Sequence, residues 1–500
     1  MAGFRELLSG MKAGRSWDAI GDTDRVRDLL DGVYAERYHS GAHHRNRYQT
    51  RVNLQRKDDA ASYAGWITAE NTTSGPYQGT SFVWFPGEGG SVAVLVVGTD
   101  GFGADAQILG RPGHARRLRA LSRIHGGRIW VKPDALDLGM RVPETVVEKW
   151  PEIGSALKSY GHVIYAAAVV DGGSDDQAVE DLLDLFFYEH GTPLTGSSKD
   201  RWQERLGDIA NAVFPKVSAD QAFDLLCERR LLVLEGPPGT GKTRMAKQIC
   251  DRIGSATTVQ FHPARTYEDF VVGLYPQPAS DGLKFEVRAG DLLVANEKAR
   301  KGRHVLLIDE INRADLARVL GEALMLFEPG EPLRTVRLPH TPAGHGSELQ
   351  LSPDLLVLAT RNTADRTIAR LDIAIRRRFA FLPLWPDLDA VRGEEVEFAI
   401  DLFEDTVHTF ANFADEETLR LIPGHAYFLD PRPELGVEGR DLRVANRLRF
   451  ELLPLLRDYL EERLCGGSTM HVANLADRVE ARLLGLTGKP GLAPGVTHSQ

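Results

Sequence analysis

Cysteine is scarce in this chain. Its 500 residues include only Cys227, Cys250 and Cys465, which lie far apart. Three separated thiols form neither the even-numbered pattern of a disulfide framework nor the close spacing of a metal-binding motif. We therefore expect isolated buried thiols in a protein of the cytoplasm, where thiols stay reduced.

Long apolar stretches are also missing. No run approaches the roughly 20 residues that a helix needs to cross a bilayer. The opening residues, MAGFRELLSGMKAG, lack the apolar centre of a secretory signal and predict a short amphipathic helix. These two absences predict a cytoplasmic protein with no membrane partner.

The chain has no surplus of positive charge and no nuclease motif. Its formal net charge of −10 argues against a protein coated in basic surface, but leaves room for one local nucleic-acid patch. The pattern of an Asp followed by Glu-x-Lys in a strand context is missing, so any cutting of nucleic acid would belong to a separate partner. A length of 500 residues suits about two to four domains.

The strongest positive signal is the stretch Leu231–Thr243, LLVLEGPPGTGKT. An apolar run predicts a buried strand, and the glycine-rich turn that follows opens a helix with the full P-loop spacing. Backbone N–H groups of such a loop cradle phosphates, and the helix N-terminus adds the positive end of its dipole. The predicted nucleotide-binding residues are Gly236, Pro237, Pro238, Gly239, Thr240, Gly241, Lys242 and Thr243.

A second motif supplies the acids that phosphoryl transfer needs. The apolar strand 305–308 ends in Asp309 and Glu310, which is a Walker B pattern downstream of the P-loop. Lys242 would reach the β- and γ-phosphates, while Thr243 and Asp309 would hold Mg²⁺. Glu310 would orient or deprotonate the attacking water. The sequence therefore predicts a Mg²⁺-dependent nucleoside triphosphatase.

Two further features complete a site of this kind. A strand over 355–359 leads to Asn362, whose amide would hydrogen-bond the γ-phosphate or the lytic water as a sensor. Arg376, Arg377 and Arg378 stand where a ring-forming ATPase places the arginine finger that enters its neighbour's site. We assign the catalytic cation to Arg377 or Arg378, although the sequence does not separate the three. Because a finger cannot serve its own site, we expect a homo-oligomeric ring, most simply a hexamer.

Four segments carry a family resemblance: VQFHPARTYEDFVVGLYP, LLIDEINRADLARVLGEALMLFE, LATRNTADRTIARLDIAIRRRF and IPGHAYF. They make the chain similar to the McrB family of AAA+ proteins, the NTP-hydrolysing motor subunits of modification-dependent restriction systems. The resemblance covers roughly residues 200–465, with its motifs in the same order and spacing. Arg361 departs from it, since the family usually has Met there. The resemblance implies a motor for DNA restriction or phage defence, working with a McrC-like nuclease subunit.

The resemblance also implies roles for single residues. Residues 267–270 would face the ring's pore or a partner, with a packing loop as an equal alternative. The assignment of His425 comes from the residue itself and not from the resemblance: this histidine would sense phosphate or, more simply, make a structural hydrogen bond. The remaining assignments are Asn362 as the sensor, Asp365 and Arg366 at the subunit interface, and Asn312 and Arg313 near the shared site.

The nucleotide is left open between ATP and GTP. McrB motors of the family prefer GTP, whereas most AAA+ relatives use ATP, and we expect ATP on class-wide grounds. The stretch 362–365, Asn-Thr-Ala-Asp, loosely resembles a guanine-reading motif, but its place at a sensor strand argues against contact with the base. Base recognition near Phe214 and Pro215 is the better expectation.

The sequence of residues 1–195 supports two interpretations. Two basic clusters, His43–Lys57 and Arg111–Arg123, flank a region rich in aromatic residues. Such a combination can contact phosphates and stack on an unpaired base. Ordinary solvated charge around an aromatic core explains it about equally well. We expect DNA recognition by residues 1–195; a MoxR-like remodelling ATPase acting on proteins is the main alternative, and a slow nucleotide-gated switch is a third.

The predicted architecture is an α/β AAA+ core, a parallel sheet flanked by helices, with a small helical lid and an N-terminal α+β module. The predicted boundaries are residues 1–195 for the recognition module, 196–390 for the nucleotide-binding core, 391–487 for the lid and 488–500 for a disordered tail rich in Gly and Pro.

Overall fold

The computed structural model describes residues 23–38, 48–53, 62–69, 71, 78–86, 90–149, 154, 160–171, 177–279, 282–328, 334–365 and 373–487. The chain forms two compact units, Met1–Phe214 and Pro215–Gln500. The predicted roles of His43, His44 and Arg366, and the predicted tail 488–500, lie outside the described residues. No helix in the described ranges has the length and apolar character to cross a membrane. The three cysteines are free, with Cys250 and Cys465 buried and Cys227 half-buried.

The N-terminal unit contains one antiparallel sheet and several helices. Its strands are β1 (Tyr48–Asn53), β2 (Tyr63–Thr68), β3 (Thr80–Pro86), β4 (Gly90–Val97), β5 (Ile129–Val131) and β6 (Ile164–Asp171). Its helices are α1 (Thr23–Arg37), α2 (Ala106–Leu109), α3 (Pro112–Ile124), α4 (Glu144–Lys149), α5 (Gln177–Glu189) and α6 (Gly196–Val213), with a 3₁₀ turn at Gly103–Asp105. The sheet order is β1-β2-β3-β4-β6-β5.

An aromatic core joins this sheet to helix α5. Trp66 on β2 and Trp84 on β3 lie 5.6 Å apart between ring centroids, and Phe187 of α5 packs edge-on against Trp66 at 5.4 Å. All three side chains are almost completely buried. The apolar run 92–97 forms most of β4 and has little exposure. The aromatic residues of this region therefore serve largely as a core.

Helix α6 belongs to the N-terminal unit. Trp202 and Ile209 are 1% and 3% exposed and lie in the same apolar cluster as the sheet. The helix begins at Gly196, the first residue of the predicted nucleotide-binding core, and the unit ends after Phe214. The predicted boundary at residues 195 and 196 thus falls before the division between the units, because the apolar face of α6 packs into the N-terminal core.

The second basic cluster of the sequence, on α3, also serves this fold. His114 and Arg116 are 2% and 6% exposed, and Arg117 forms an ion pair with Glu189 of α5. Nδ1 of His114 lies 3.7 Å from the second carboxylate oxygen of Glu189. His114, Arg116 and Arg117 are therefore largely unavailable to phosphate, so this second cluster presents less basic surface than the sequence predicts.

Glu189 makes the stability of this unit depend on pH. Burial alone would raise its pKa, but the nearby His114 and the charge of Arg117 lower the pKa to about 2. Because this folded-state pKa lies below the ordinary value of 4.5, the carboxylate stabilises the fold above about pH 4.5. That contribution, about 3 kcal/mol, is lost as the pH falls towards 2.

We therefore expect Glu189→Gln to flatten the acid dependence of the N-terminal unit. Hydrogen exchange of the α5 amides in the full chain, measured from pH 6 to pH 3, would show a steep loss of protection in the wild type and a shallower loss in the variant. Glu144→Gln, which changes an exposed acid of the same unit, is the control and should behave as wild type. Equal slopes for wild type and Glu189→Gln would contradict the expectation.

The second unit contains a parallel sheet and two small antiparallel pairs. Its strands are β7 (Leu231–Gly236), β8 (Ala256–Gln260), β9 (Val272–Ala279), β10 (Gly282–Ala289), β11 (His304–Asp309), β12 (Thr335–Arg337), β13 (Glu348–Gln350), β14 (Leu355–Asn362) and β15 (Ala380–Pro383). The five parallel strands follow the order β15-β7-β14-β11-β8, while β9 pairs with β10 and β12 with β13.

Helices flank this sheet and then form the C-terminal lid region. They are α7 (Ala219–Arg229), α8 (Lys242–Ile253), α9 (Tyr267–Phe270), α10 (Asp291–Ala299), α11 (Leu316–Leu320), α12 (Ile373–Arg376), α13 (Leu388–Arg392), α14 (Glu397–Phe413), α15 (Arg440–Arg447), α16 (Leu453–Glu461) and α17 (Thr469–Thr487). Shorter turns are Ile311–Arg313, Gly321–Phe327, Thr418–Leu421, His425–Phe428, Pro433–Leu435 and Gly466–Ser468, with a π-helical turn at Leu448–Leu452.

The apolar run of β7 is continuous because both faces of the strand are covered. Leu231 and Val233 belong to the apolar cluster on one face, and Leu232 and Leu234 belong to the cluster on the other. This is the pattern of a parallel strand between helical layers. In such sheets, ligands bind beyond the carboxyl ends of the strands. The predicted α/β core is confirmed, and its motifs lie at that edge.

Candidate active site

The P-loop joins β7 to α8. Gly239 and Gly241 have φ angles of +78° and +80°, in the left-handed region that glycine adopts most readily. The turn ends at Gly241, the N-cap of α8, so the first N–H groups of the helix lie beside the loop. Thr240 supports the turn by donating its hydroxyl to the carbonyl of Pro237 at 2.9 Å. The backbone thus has the form of a phosphate cradle.

Lys242 folds back over this loop. Its Nζ donates to the carbonyl oxygens of Gly236 at 2.9 Å and Pro237 at 2.6 Å. Burial lowers the pKa of Lys242 to about 8, although the negative charges of Glu310 and Asp309 oppose that shift. The ammonium group therefore lies in the cradle, where an anionic ligand would stabilise its charge.

Thr360 joins the two Walker B acids. Its hydroxyl donates to Oδ1 of Asp309 at 2.5 Å and accepts the backbone N–H of Glu310 at 3.0 Å. Thr360 is 2% exposed on β14, the strand beside β11. Sequence reasoning assigned no role to this threonine, because the motif that contains it ends in the more conspicuous Asn362. The signal that could have identified Thr360 is its hydroxyl two residues before the sensor Asn362, directly after an apolar run.

Glu310 has an unusual backbone. Its φ is +56°, which is strained for a residue with a side chain, and the bond from its N–H to Thr360 helps to hold that conformation. Burial raises the pKa of Glu310, opposed mainly by the charge of Arg313. Nε of Arg313 lies 3.6 Å from its carboxylate, and a second nitrogen of Arg313 lies 3.7 Å from Asp365. Arg313 thus lies between the carboxylates of Glu310 and Asp365, while the backbone of Glu310 is held through Thr360.

We expect Thr360→Val to slow hydrolysis by about 10- to 100-fold, because the two acids lose their shared support and shift from productive geometry. Nucleotide affinity should change by no more than about threefold, because Lys242 and the loop remain in place. Steady-state hydrolysis and equilibrium nucleotide binding separate the two effects. Thr360→Ser keeps the hydroxyl and should stay near wild type, whereas equal rates for the Val and Ser variants would exclude this positioning role.

Asn362 and Arg361 end strand β14 next to the P-loop strand. Asn362 stands opposite Gly236 in the register, and its side-chain oxygen accepts the N–H of Ala364 at 3.1 Å. Arg361, the departure from the family pattern, forms an ion pair with its register partner Glu235 at 2.9 Å. The arginine therefore has a partner on β7, and the sensor position next to it stays at the edge of the cradle.

The three arginines at the end of α12 have different surroundings. Arg378 is 8% exposed and pairs with Glu328 at 2.9 Å, while one of its nitrogens donates to the carbonyl of Ala374 at 2.6 Å. Arg377 is 61% exposed and reaches Glu328 only at 3.4 Å. Arg376 is exposed, with its guanidinium 5.2 Å from the ring centroid of Phe381. The geometry therefore leaves Arg376 and Arg377 accessible at the surface.

Residues 267–270, which form helix α9, pack into the fold. Phe270 is fully buried, and the hydroxyl of Tyr267 donates to Glu322 at 2.5 Å. Asn312 is 3% exposed, whereas the side chain of Arg313 is 43% exposed. These contacts favour the packing alternative for residues 267–270, while the neighbouring hairpin of β9 and β10 carries exposed Leu283 and Phe285.

A segment of the lid region rests directly on the P-loop. Gly424 donates its N–H to the carbonyl of Pro238, and Ala426 to that of Gly239, both at 2.9 Å. A Cβ on Gly424 would lie 2.1 Å from the carbonyl carbon of Gly239, so no other residue fits there. Tyr427 packs close over Gly239 from the same segment. Sequence reasoning did not predict this contact, because more than 180 residues separate the two stretches.

The donors for a metal ion are oxygen atoms. Thr243 is exposed at the start of α8, and Asp309 is half-buried at the end of β11. A hydroxyl and a carboxylate suit Mg²⁺, which usually takes one or two protein ligands and completes its shell with water and phosphate. Among the described residues no group of three or more His, Cys, Asp or Glu side chains forms a self-sufficient metal site. The residues present therefore fit Mg²⁺ bound together with a nucleotide.

Comparison with known proteins agrees with this geometry. Residues 231–379 match the family described as AAA domain (dynein-related subfamily). The chain is 30% identical over 265 residues to the Type IV methyl-directed restriction enzyme EcoKMcrB subunit of Escherichia coli (strain K12), covering 50% of this chain and 57% of that protein. It is 26% identical over 189 residues to the Type II restriction enzyme BsuMI component YdiS of Bacillus subtilis (strain 168), covering 30% and 55%.

A third relative belongs to another kind of system. The Holliday junction branch migration complex subunit RuvB of Nocardia farcinica (strain IFM 10152) is 30% identical over 253 residues, which cover 49% of this chain and 54% of that protein. The chain thus spans a little over half the length of these three relatives. Residues 231–379 thus form an AAA domain of the dynein-related subfamily, in a chain that is similar to the McrB restriction subunit over half of its length.

Proposed function

We propose that this chain hydrolyses a nucleoside triphosphate with Mg²⁺ and works as the ring motor of a restriction system that acts on modified DNA. The observation that carries the hydrolytic part is the convergence of Lys242, Asp309, Glu310 and Asn362 beside one phosphate cradle. The curated relatives that act in restriction support the biological setting.

Each residue has one task in the proposed reaction. The loop N–H groups and Lys242 would hold the phosphates, and Thr243 and Asp309 would hold Mg²⁺, which would supply positive charge beside the phosphate oxygens. Glu310 takes the proton of the attacking water, and Asn362 orients the water or the γ-phosphate. Burial raises the pKa of Glu310, which strengthens it as a base.

Hydrolysis itself is tested with the purified full chain. We expect phosphate release from ATP in the presence of Mg²⁺, with GTP as the second substrate to compare. Lys242→Ala should abolish it, because the loop loses its phosphate-binding charge. Absence of hydrolysis of both nucleotides, with and without a partner nuclease and DNA, would contradict the proposal.

An arginine finger requires an oligomeric ring, because it acts in the site of a neighbouring subunit. Since Arg376 and Arg377 are exposed and Arg378 is tied to Glu328, we assign the finger to the exposed pair and prefer Arg377. Arg378, the other arginine that the sequence offers as the finger, would instead support the fold of its own subunit. A hexamer follows most simply from AAA+ geometry, and mass measurement with bound nucleotide would establish the number of subunits.

The N-terminal unit would contact the DNA. A surface pocket of about 470 Å³ lies between α3 and β5, lined in part by Arg119, Arg123 and the half-buried Trp130. Both arginines are exposed, unlike the buried cations of the same helix. An apolar pocket near Tyr160 holds only about 40 Å³, little more than one water molecule takes in the liquid, about 30 Å³. The larger pocket is therefore the better site for phosphate contact and base stacking.

The DNA-binding experiment should use a fragment that ends at Phe214, because ending it at residue 195 would remove Trp202 from the core. We expect fragment 1–214 and the full chain to bind methylated DNA more tightly than unmethylated DNA. Arg119→Glu with Arg123→Glu should weaken binding and reduce the salt slope by about one unit per lost contact. Arg141→Glu, another exposed arginine of this unit, is the matched control.

Failure to bind DNA would favour the alternative function, a MoxR-like ATPase that remodels proteins. The observation on its side is that His114, Arg116 and Arg117 are buried or paired with an acid, which reduces the basic surface of the second cluster. No binding of DNA at low salt by either form would exclude DNA recognition by this unit and leave a protein partner as the target. A McrC-like nuclease encoded beside this chain, and stimulation of hydrolysis by it, would instead support the restriction motor.

A further inference from the structure

The imidazole of His425 lies against the P-loop. It comes from the lid-region segment that forms backbone hydrogen bonds with Pro238 and Gly239. A Cβ built on Gly241 would lie 3.5 Å from Nε2 of His425, so this nitrogen faces the last residue before Lys242. The ring is therefore adjacent to the point where the phosphate cradle becomes helix α8.

A hydrogen bond determines which ring nitrogen carries the proton. The backbone N–H of Asp387 donates to Nδ1 of His425 at 3.2 Å. A backbone amide can only donate, so Nδ1 must be unprotonated and the single proton of the neutral ring lies on Nε2. Burial lowers the pKa of His425, an effect that the charge of Asp387 opposes and that of Arg244 reinforces. The ring is thus a neutral N–H donor at neutral pH.

The donor is directed towards the loop. The structure records no hydrogen-bond partner for Nε2 within the described part of the chain. The groups around it are the backbone of the cradle and the N-terminus of α8, where the helix dipole disfavours a cation and favours an anionic ligand. A neutral donor suits this place better than a charged imidazolium.

We propose that His425 binds the nucleotide directly, donating Nε2–H to an oxygen of its phosphate chain, while the Asp387 backbone holds the ring in the required tautomer. This assignment rests on the proposed nucleotide site, and deepens it by adding a ligand from outside the P-loop and Walker B motifs. It gives the lid-region segment a contact with the nucleotide as well as with the loop. His425 acts in binding, and Glu310 keeps the chemical step.

Two variants of the full chain separate binding from packing. His425→Phe keeps a planar ring over Gly241 but removes both nitrogens. His425→Gln offers an oxygen to the Asp387 N–H and an amide donor to the ligand. We expect the Phe variant to bind ADP about tenfold more weakly, as for one lost hydrogen bond to a charged group, and the Gln variant to recover most of the affinity. Calorimetry measures the affinities, and melting without nucleotide checks the fold.

Pyrophosphate distinguishes a phosphate contact from a contact with the base or ribose. If Nε2–H binds the phosphate chain, His425→Phe weakens ADP and pyrophosphate by the same factor. In the wild type, nitrogen NMR of His425 should show a proton on Nε2 and a shift of that signal when ADP is added. Unchanged ADP affinity in a folded Phe variant, or a loss confined to ADP, would overturn the proposal. Failure of the wild type to bind ADP, GDP or pyrophosphate would instead overturn the nucleotide site itself.

Discussion

Glu310→Gln is expected to abolish turnover while leaving the nucleotide bound. The amide keeps the size of the side chain but cannot take a proton from water, and a positioned general base contributes about 100- to 10,000-fold to such a reaction. Lys242, Thr243 and the loop are unaffected, so nucleotide affinity and ring assembly should persist. Phosphate release, equilibrium binding of nucleotide and mass measurement of the assembly test the three parts of this expectation.

The structure offers a matched control for this variant. Glu228→Gln removes an exposed acid from α7 of the same unit, far from the Walker B strand in sequence, and should hydrolyse at the wild-type rate. Thermal melting should show similar stability for both variants. Hydrolysis near the wild-type rate in Glu310→Gln would remove Glu310 from the role of base.

Arg377→Ala should lose hydrolysis by about 1,000-fold or more, because the finger stabilises the charge of the transition state in the neighbouring site. Arg377 is 61% exposed, so its removal should leave the subunit folded. Arg377→Lys keeps the charge but loses the planar fork of the guanidinium, and should recover only part of the rate. Arg378→Ala should instead lower the melting temperature, since the buried Glu328 contact is lost.

Mixed rings test whether the finger acts across the interface. Arg377→Ala subunits retain Glu310, and Glu310→Gln subunits retain Arg377, so each mutant is inactive alone. In a mixture, some sites combine Glu310 of one subunit with Arg377 of its neighbour, and part of the activity should return. A mixture that assembles but stays as inactive as its components would contradict a shared site.

The local sequence was sufficient to predict those parts of the site that are formed by residues close together in the chain. The loop Gly236–Thr243 requires glycine where the backbone adopts positive φ, and the acids Asp309 and Glu310 lie at the end of strand β11 and directly after it. These patterns are local because a strand, a turn and a helix N-terminus form from neighbouring residues. The AAA domain and its α/β core could therefore be predicted, as the structure and the comparisons confirm.

Burial in the fold determines which charged residues of each cluster stay exposed and which form ion pairs. In sequence, Arg377 and Arg378 are equivalent, and Arg117 looks like a surface cation of a basic helix. In the fold, Arg378 packs against Glu328 and Arg117 against Glu189, whereas Arg377 stays exposed. A charge run shows the number of cations but not which of them meets an acid, because the acids come from distant parts of the chain.

The sequence by itself determined the nucleotide-binding chemistry, since that chemistry depends on residue types at fixed local spacing. Only the tertiary structure decided how the site is supported. Thr360 holds the Walker B acids because strand order places β14 beside β11, and Gly424 and His425 lie on the P-loop because the lid-region segment returns to β7 and α8. Contacts between residues far apart in sequence arise from packing, and packing leaves no periodic signal in the chain.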